Sequence, residues 1–505
     1  MKERDSKEKS INKDIYGKEY NKTLLIIAIM IGSFVTILNQ TLLSTALPQI
    51  MKYFKINAST AQWLTTAFML VNAIMIPLTA LLLEKISTRK LFMFSMAMFG
   101  IGTVICAISP NFTILLIGRI VQAAGAGIIS PLANTALLMV FPPEKRGSAM
   151  GMYGLVICFA PAIGPTLSGI IIDMWNWHYL FYILIPLVAL DIIFTAFFMK
   201  DVIPLKNPKI DFISILLSTF GFGLVLYGFS NAGNKGWGDI TVLTTIIVGI
   251  IISASFIWRQ LAMEHPMLEM RVFKSTTFTL TTVIGSILNI ASVGASIVLP
   301  IFLQNILGKS AFTSGLTLLP GALLMAVTML ISGRLFDKYG VKKLAIPGIV
   351  LLIIASFPFA RLHRDTHVII IAMLYTIRCI GIALVIMPMQ TAGVNDLSNK
   401  LLAHASAVVN MAKQVAGSLG TAVLITIMSN VTTSNAPDNA LATTNVALYK
   451  SEMLDASLKG ANTTFIFVIA ITVISLIMSL FIKNKKKSRT LTKKGNIDQE
   501  LTVEF

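Results

Sequence analysis

Read from its first residue, the chain alternates long apolar runs with short polar breaks. The runs begin near Thr23, Ala61, Leu91, Phe112, Ala149, Tyr179, Asp211, Ile240, Phe278, Phe312, Lys342, His367, His404 and Asn462. Each can cross a hydrocarbon core about 30 Å thick, which takes roughly 20 apolar residues in a helix. Because such a core offers no water to the backbone, each run must satisfy its own N–H and C=O groups, and a helix does so. The pattern thus predicts fourteen transmembrane helices in an all-α integral membrane protein. The longest break, from Asn430 to Ala461, is expected to form a cap or a short amphipathic hairpin.

Composition agrees: of 505 residues 55% are hydrophobic and 13% charged, with a mean hydropathy of +0.78, against about 25% charged in ordinary soluble domains. Lys and Arg number 41 against 23 acidic residues, a net +18 that in a soluble chain would suggest nucleic acid. Here most basic residues fall in alternate breaks and in the two tails, on the side that holds both ends. Basic residues gather on the cytoplasmic side, so both termini are expected there, and no nucleic-acid partner is read from the charge. Arg119, Arg378 and Lys413 remain inside spans. The segment before the first run lacks a small-residue cleavage site, so that run is expected to serve as the first inserted helix. The basic cluster opening at Lys483 reads as a membrane-side anchor. Cys106, Cys158 and Cys379 lie in apolar runs and behave as small hydrophobes. Gly308-Lys309-Ser310 imitates the end of a phosphate-binding loop, but Leu303 stands where a glycine is required and the segment joins two spans. With no metal cluster, cofactor motif or nucleophile–base arrangement, an enzyme is not expected.

A repeat becomes visible once the runs are numbered. Ala46-Leu47-Pro48 ends run 1 and Val298-Leu299-Pro300 ends run 9; Glu84 and Asp337 follow at nearly equal distances; Arg119 and Arg378 each stand alone within a span. Repeats of this kind commonly build the two halves of a transporter. They divide the chain into a cytoplasmic tail (1–22), a six-helix half (23–200), an inserted helix pair with linkers (201–275), a second six-helix half (276–482) and a cytoplasmic tail (483–505).

Four motifs carry mechanism. After run 10 stand Gly333, Leu335, Asp337, Lys338, Gly340, Lys342 and Lys343. Glycines there let helices approach, and the carboxylate can cap a helix N-terminus and pair with basic groups to hold one side shut. A degraded copy after run 2 keeps Glu84, Lys85, Arg89 and Lys90 but has Ala80 and Ser87 in place of glycines. Run 4 carries Arg119, Gln122, Gly125 and Gly127, with Ala123 between. Run 5 carries Gly151, Ala160, Gly164-Pro165 and Ser168-Gly169, small residues that allow close packing, with a proline that allows a bend. Gln62-Trp63, the stretch 266–273 and Leu319-Pro320-Gly321 accompany them.

With these motifs the chain resembles the major facilitator superfamily over nearly its whole length, in particular the fourteen-span drug:proton antiporters of the QacA/EmrB type. The resemblance implies the major facilitator fold, two six-helix halves plus two inserted helices, working by alternating access in a bacterial plasma membrane. It further implies a monomer without cofactor whose partners are small amphipathic molecules, protons and the lipid bilayer. Proton-coupling candidates are Arg119, which by resemblance tunes a nearby carboxylate, Asp191 and Arg378. Cavity candidates are Asn39, Gln40, Gln122 and Asn289, on the stripes Ser33, Thr36, Gln40, Ser44 and Thr282, Ser286, Asn289, Ser296. Gating is assigned to Glu84 and Asp337, and the antiporter motif to Gly151, Gly164, Pro165 and Gly169. Many relatives place an aspartate where this chain has Asn39, which implies a preference for neutral or weakly basic cargo over permanent cations. The alternatives to these roles are a solvated turn, an arginine that serves packing, a small-residue helix contact, a satisfied packing residue at Asp191, and interhelical hydrogen bonding by the polar stripes. Export of one endogenous metabolite or lipid is the competing function on the same fold, and a receptor or scaffold on a dead transporter fold is the competing class.

Overall fold

The computed structural model describes residues 14–56, 58–206, 211–438, 441 and 444–482. The basic cluster from Lys483 lies outside the described residues, as do the side chains of Ser44, Pro48, Gln62 and Pro165. Among the described residues fourteen helices are long and apolar enough to cross a membrane. They are α1 (Lys22–Phe54), α2 (Ala58–Lys85), α3 (Thr88–Ala107), α4 (Phe112–Val140), α5 (Arg146–Met174), α6 (Tyr179–Phe198) and α7 (Phe212–Lys235). Then follow α8 (Ile240–Ala262), α9 (Thr276–Ile301), α10 (Ala311–Tyr339), α11 (Val341–Ser356), α12 (Val368–Asn395), α13 (Leu402–Ser434) and α14 (Val446–Leu480).

Polar residues at the breaks start several of these helices. The Asn21 side chain accepts from the amides of Thr23 and Leu24 at 3.0 and 3.3 Å, and Asn111, Asp239, Ser275 and Ser310 cap α4, α8, α9 and α10 in the same way. Such caps satisfy amides that have no partner inside the helix. Gly340 joins α10 to α11 at φ +80°, a backbone region that side chains avoid.

Two boundaries differ from the sequence reading. α1 runs past Ala46-Leu47-Pro48 to Phe54, where Lys55 closes it in the left-handed region at φ 53°. The described residues of the break from 430 to 461 are mostly helical: α13 continues to Ser434, and α14 starts at Val446, capped by Asn445 onto Leu448 N at 3.1 Å. Gly460 sits against the backbone of Met428, so the expected hairpin exists as two helix extensions packed side by side.

The helix pairings repeat. In the first six helices α3 packs on α4 and α6, α4 on α2, and α1 on α5 and α6; in the last six α11 packs on α12 and α14, α12 on α10, and α9 on α13 and α14. The halves meet along two seams, α5 against α10 and α12, and α13 against α2 and α4. The first seam is tightly closed. At the second, α7 packs on both α2 and α13 while α8 packs on α7. Ile247, Ile250, Ile251 and Trp258 of α8 are exposed, as expected of a helix facing lipid.

Candidate functional site

At one face of the bundle the halves are latched. Asp337, at the end of α10, accepts from Gly147 N and Ser148 N, both at 2.8 Å, and from Ser148 Oγ at 2.5 Å. The carboxylate therefore caps the N-terminus of α5, where unpaired amides favour negative charge. Its described partners are amides and a hydroxyl rather than the basic residues of its own motif. Gly151 and Gly333 stand at a close helix approach: a Cβ on Gly151 would stand 2.7 Å from the Met329 carbonyl, and one on Gly333 would stand 3.0 Å from the Gly151 Cα. The loop motif and the antiporter motif thus press on each other. Arg146 adds bonds across the same seam, to Asn395 Oδ1 at 3.1 Å and Asn399 Oδ1 at 2.8 Å.

Glu84, the carboxylate of the degraded copy, occupies the equivalent place at the second seam. Its carboxylate bonds the Lys206 ammonium and lies 3.2 Å from His404 Nε2, in the first turn of α13. His404 Nδ1 accepts from Glu269 N at 3.4 Å, so Nε2 carries the proton donated to Glu84 in the neutral ring. A side chain here takes the part that backbone amides take at Asp337. Lys206, His404, Gly147 and Ser148 were not readable as partners, because each lies more than a hundred residues from its carboxylate.

Deeper in the first half, Arg119 and Gln122 form one network. Arg119 Nη1 donates to Gln122 Oε1 at 2.9 Å and Nε to the Leu64 carbonyl at 3.5 Å, and the guanidinium stands 4.2 Å over the Phe68 ring. Gln122 Nε2 donates to Thr103 Oγ1 at 2.8 Å, and Asn39 Nδ2 approaches Gln122 Oε1 at 3.5 Å. The described partners of Arg119 are thus neutral, and the amide of Asn39 stands beside Gln122, where a carboxylate would face the arginine. Gln40, next along α1, is half-buried.

Asp191 lies elsewhere. It is fully buried on α6, neither carboxylate oxygen has a hydrogen-bond partner, and a Cβ on Gly32 of α1 would stand 2.8 Å from Oδ2, next to Phe92 and Met96 of α3. An ionised carboxylate in such a setting is costly. In the second half Arg378 bonds the Ala291 carbonyl and Ser356 Oγ, the latter at 3.2 Å. Asn289 Nδ2 donates to the Lys413 carbonyl at 2.9 Å, and Lys413 Nζ to Gln390 Oε1 at 2.5 Å. Of the antiporter-motif glycines, Gly164 would press a Cβ onto the Thr41 side chain of α1, whereas Gly169 has nothing within 4 Å and makes no close helix contact. No group of metal-ligating residues occurs among the described residues.

The profile of the Major Facilitator Superfamily matches residues 29–421. The chain belongs to this superfamily. Among its relatives in the superfamily is YcnB of Bacillus subtilis, an uncharacterized MFS-type transporter, 45% identical over 477 residues, which are 94% of this chain and 98% of that one. The lincomycin resistance protein LmrB of Listeria innocua is 41% identical over 470 residues, 93% of this chain and 98% of that protein. The crystal structure of the human organic anion transporter MFSD10 superposes with a TM-score of 0.65 at 13% identity, covering 90% of this chain and 99% of that one; at that identity the likeness is one of fold. The chain is a superfamily transporter and not an enzyme.

Proposed function

We propose that this transporter exports amphipathic small molecules in exchange for protons, by alternating access of the half 23–200 against the half 276–482. Residues 201–275 form the inserted pair, and both tails, 1–22 and 483–505, lie in the cytoplasm of a bacterial cell as a monomer in its plasma membrane. The latched face is then the cytoplasmic face, and this conformation opens to the outside. The observation that carries the reading is the Asp337 cap on α5, a contact between halves that must break if the other face is to close. Kinship with lincomycin resistance proteins supports a drug as cargo. In this reading Arg119, Asp191 and Arg378 serve coupling, and Asn39, Gln40, Gln122 and Asn289 shape the path. Glu84 and Asp337 gate it, and Gly151 and Gly164 keep α5 close to its neighbours.

The test is uptake of a labelled neutral amphipathic drug into proteoliposomes, with and without an imposed pH gradient. The gradient, acidic inside, is expected to accelerate accumulation several-fold. Accumulation that ignores the gradient refutes proton coupling.

A further inference from the structure

Arg119, Arg378 and Lys413, the cations inside the apolar runs, differ in access. Arg119 and Arg378 are each 1% exposed, whereas Lys413 is half-buried. Its ammonium has three N–H donors; Gln390 Oε1 takes one at 2.5 Å. None of the ion pairs described takes in Lys413. Asp191 is buried among α1, α3 and α6 of the first half, and Asn39 contributes an amide and not a carboxylate. The place of Lys413 is also defined. Val409 belongs to the apolar cluster shared with the first half, and Lys413 follows it by one helical turn on the same face of α13. The Asn289 bond to the Lys413 carbonyl ties this turn of α13 to α9. A cation at the seam between the halves, partly accessible and without a counter-charge, is a costly residue inside a membrane.

We propose that Lys413, positioned by Gln390, is an anion subsite in the path between the halves, and that the cargo supplies its counter-charge as the carboxylate of an amphiphile. The subsite rests on the reading of the chain as an exporter and adds carboxylate amphiphiles to the neutral compounds that exporter carries. In low dielectric an ammonium–carboxylate contact is far stronger than in water, and charge-assisted hydrogen bonds are about twice as strong as neutral ones. The apolar body of the ligand would occupy the remainder of the path.

The experiment measures binding of dansylaminoundecanoate and of its methyl ester, by dansyl fluorescence, to the full chain in lipid nanodiscs. Wild type, Lys413→Gln and Lys413→Arg are compared. The wild type is expected to bind the acid about tenfold more tightly than the ester. Lys413→Gln is expected to lose that preference while its affinity for the ester moves less than about twofold, and Lys413→Arg to keep it. An acid-to-ester ratio that survives in Lys413→Gln overturns the subsite. Equal loss of acid and ester binding in both variants marks a packing role and overturns it too. Uptake of the two probes into proteoliposomes is read separately, so that a binding preference without uptake sinks the exporter reading and leaves the subsite standing.

Discussion

Arg119 reaches three groups from one position: the Gln122 amide, the Leu64 carbonyl and the face of Phe68. An arginine this deep costs about 2.5–3.5 kcal/mol on insertion scales, and these neutral partners offset that cost in this conformation. Planar geometry allows one guanidinium to serve them together, which an ammonium cannot do. Arg119→Ala is therefore expected to leave protein in the membrane but to cut pH-gradient-driven efflux about tenfold or more, and Arg119→Lys to rescue little of it. Efflux at the wild-type rate in either variant would remove Arg119 from the coupling assignment. Residue identity was legible where a motif supplied it, as at Arg119, Gln122 and Asp337. The partners Thr103, His404 and Gly147 were not, because hydrogen bonds between helices depend on packing that apolar periodicity does not encode.

The helices themselves were readable because hydrocarbon permits little else, and the starts of α1, α4, α8, α9 and α10 were marked by Asn, Asp and Ser caps. The α14 start was missed because the stretch before Asn462 is too polar to count as a span yet is compatible with helix. Within α5 the glycines separate into two kinds. Gly164→Leu is expected to push α5 from α1 and abolish transport, and Gly333→Ala to force α10 away from α5, since the atoms it would meet are backbone atoms of Gly147 and Gly151. Gly169→Ala meets open space and is expected to transport at the wild-type rate; drug efflux from vesicles reads all three. Asp211 and Arg259 join α7 to α8 through bonds of 2.9 and 3.1 Å. The Arg259 guanidinium holds the Asp211 carboxyl down at about 2, against about 3.9 for a free aspartate. A lowered value means the contribution is complete above about pH 4 and is lost as pH falls toward 2. Asp211→Asn should then lower the melting temperature at neutral pH, and melting curves of variant and wild type should converge in acid. A gap that does not narrow between neutral pH and pH 2 would contradict the ion pair.

At the scale of the molecule, the repeat in the sequence corresponds to a repeat in packing, with α1–α6 pairings recurring in α9–α14. What the repeat could not foretell is the asymmetry of the two seams: α5 lies directly on α10, while α7 packs on both α2 and α13. Asp337→Asn should loosen the first seam, because an amide offers one acceptor oxygen where the carboxylate uses both; losing a charged bond of this kind costs about 1.5–3 kcal/mol. Pulsed EPR distances between spin labels placed across the latched face should lengthen in this variant, and unchanged distances would deny Asp337 its gating part. The central claim, exchange of drug for protons, is tested most directly through its reciprocity. If a proton gradient moves the drug, a drug gradient must move protons by the same coupling. Proteoliposomes holding a pH-sensitive dye and no pH gradient would be given a neutral drug outside. The account predicts internal alkalinisation as drug enters and protons leave, absent in Arg119→Ala vesicles. Drug entry with no pH change, or with acidification, would contradict it.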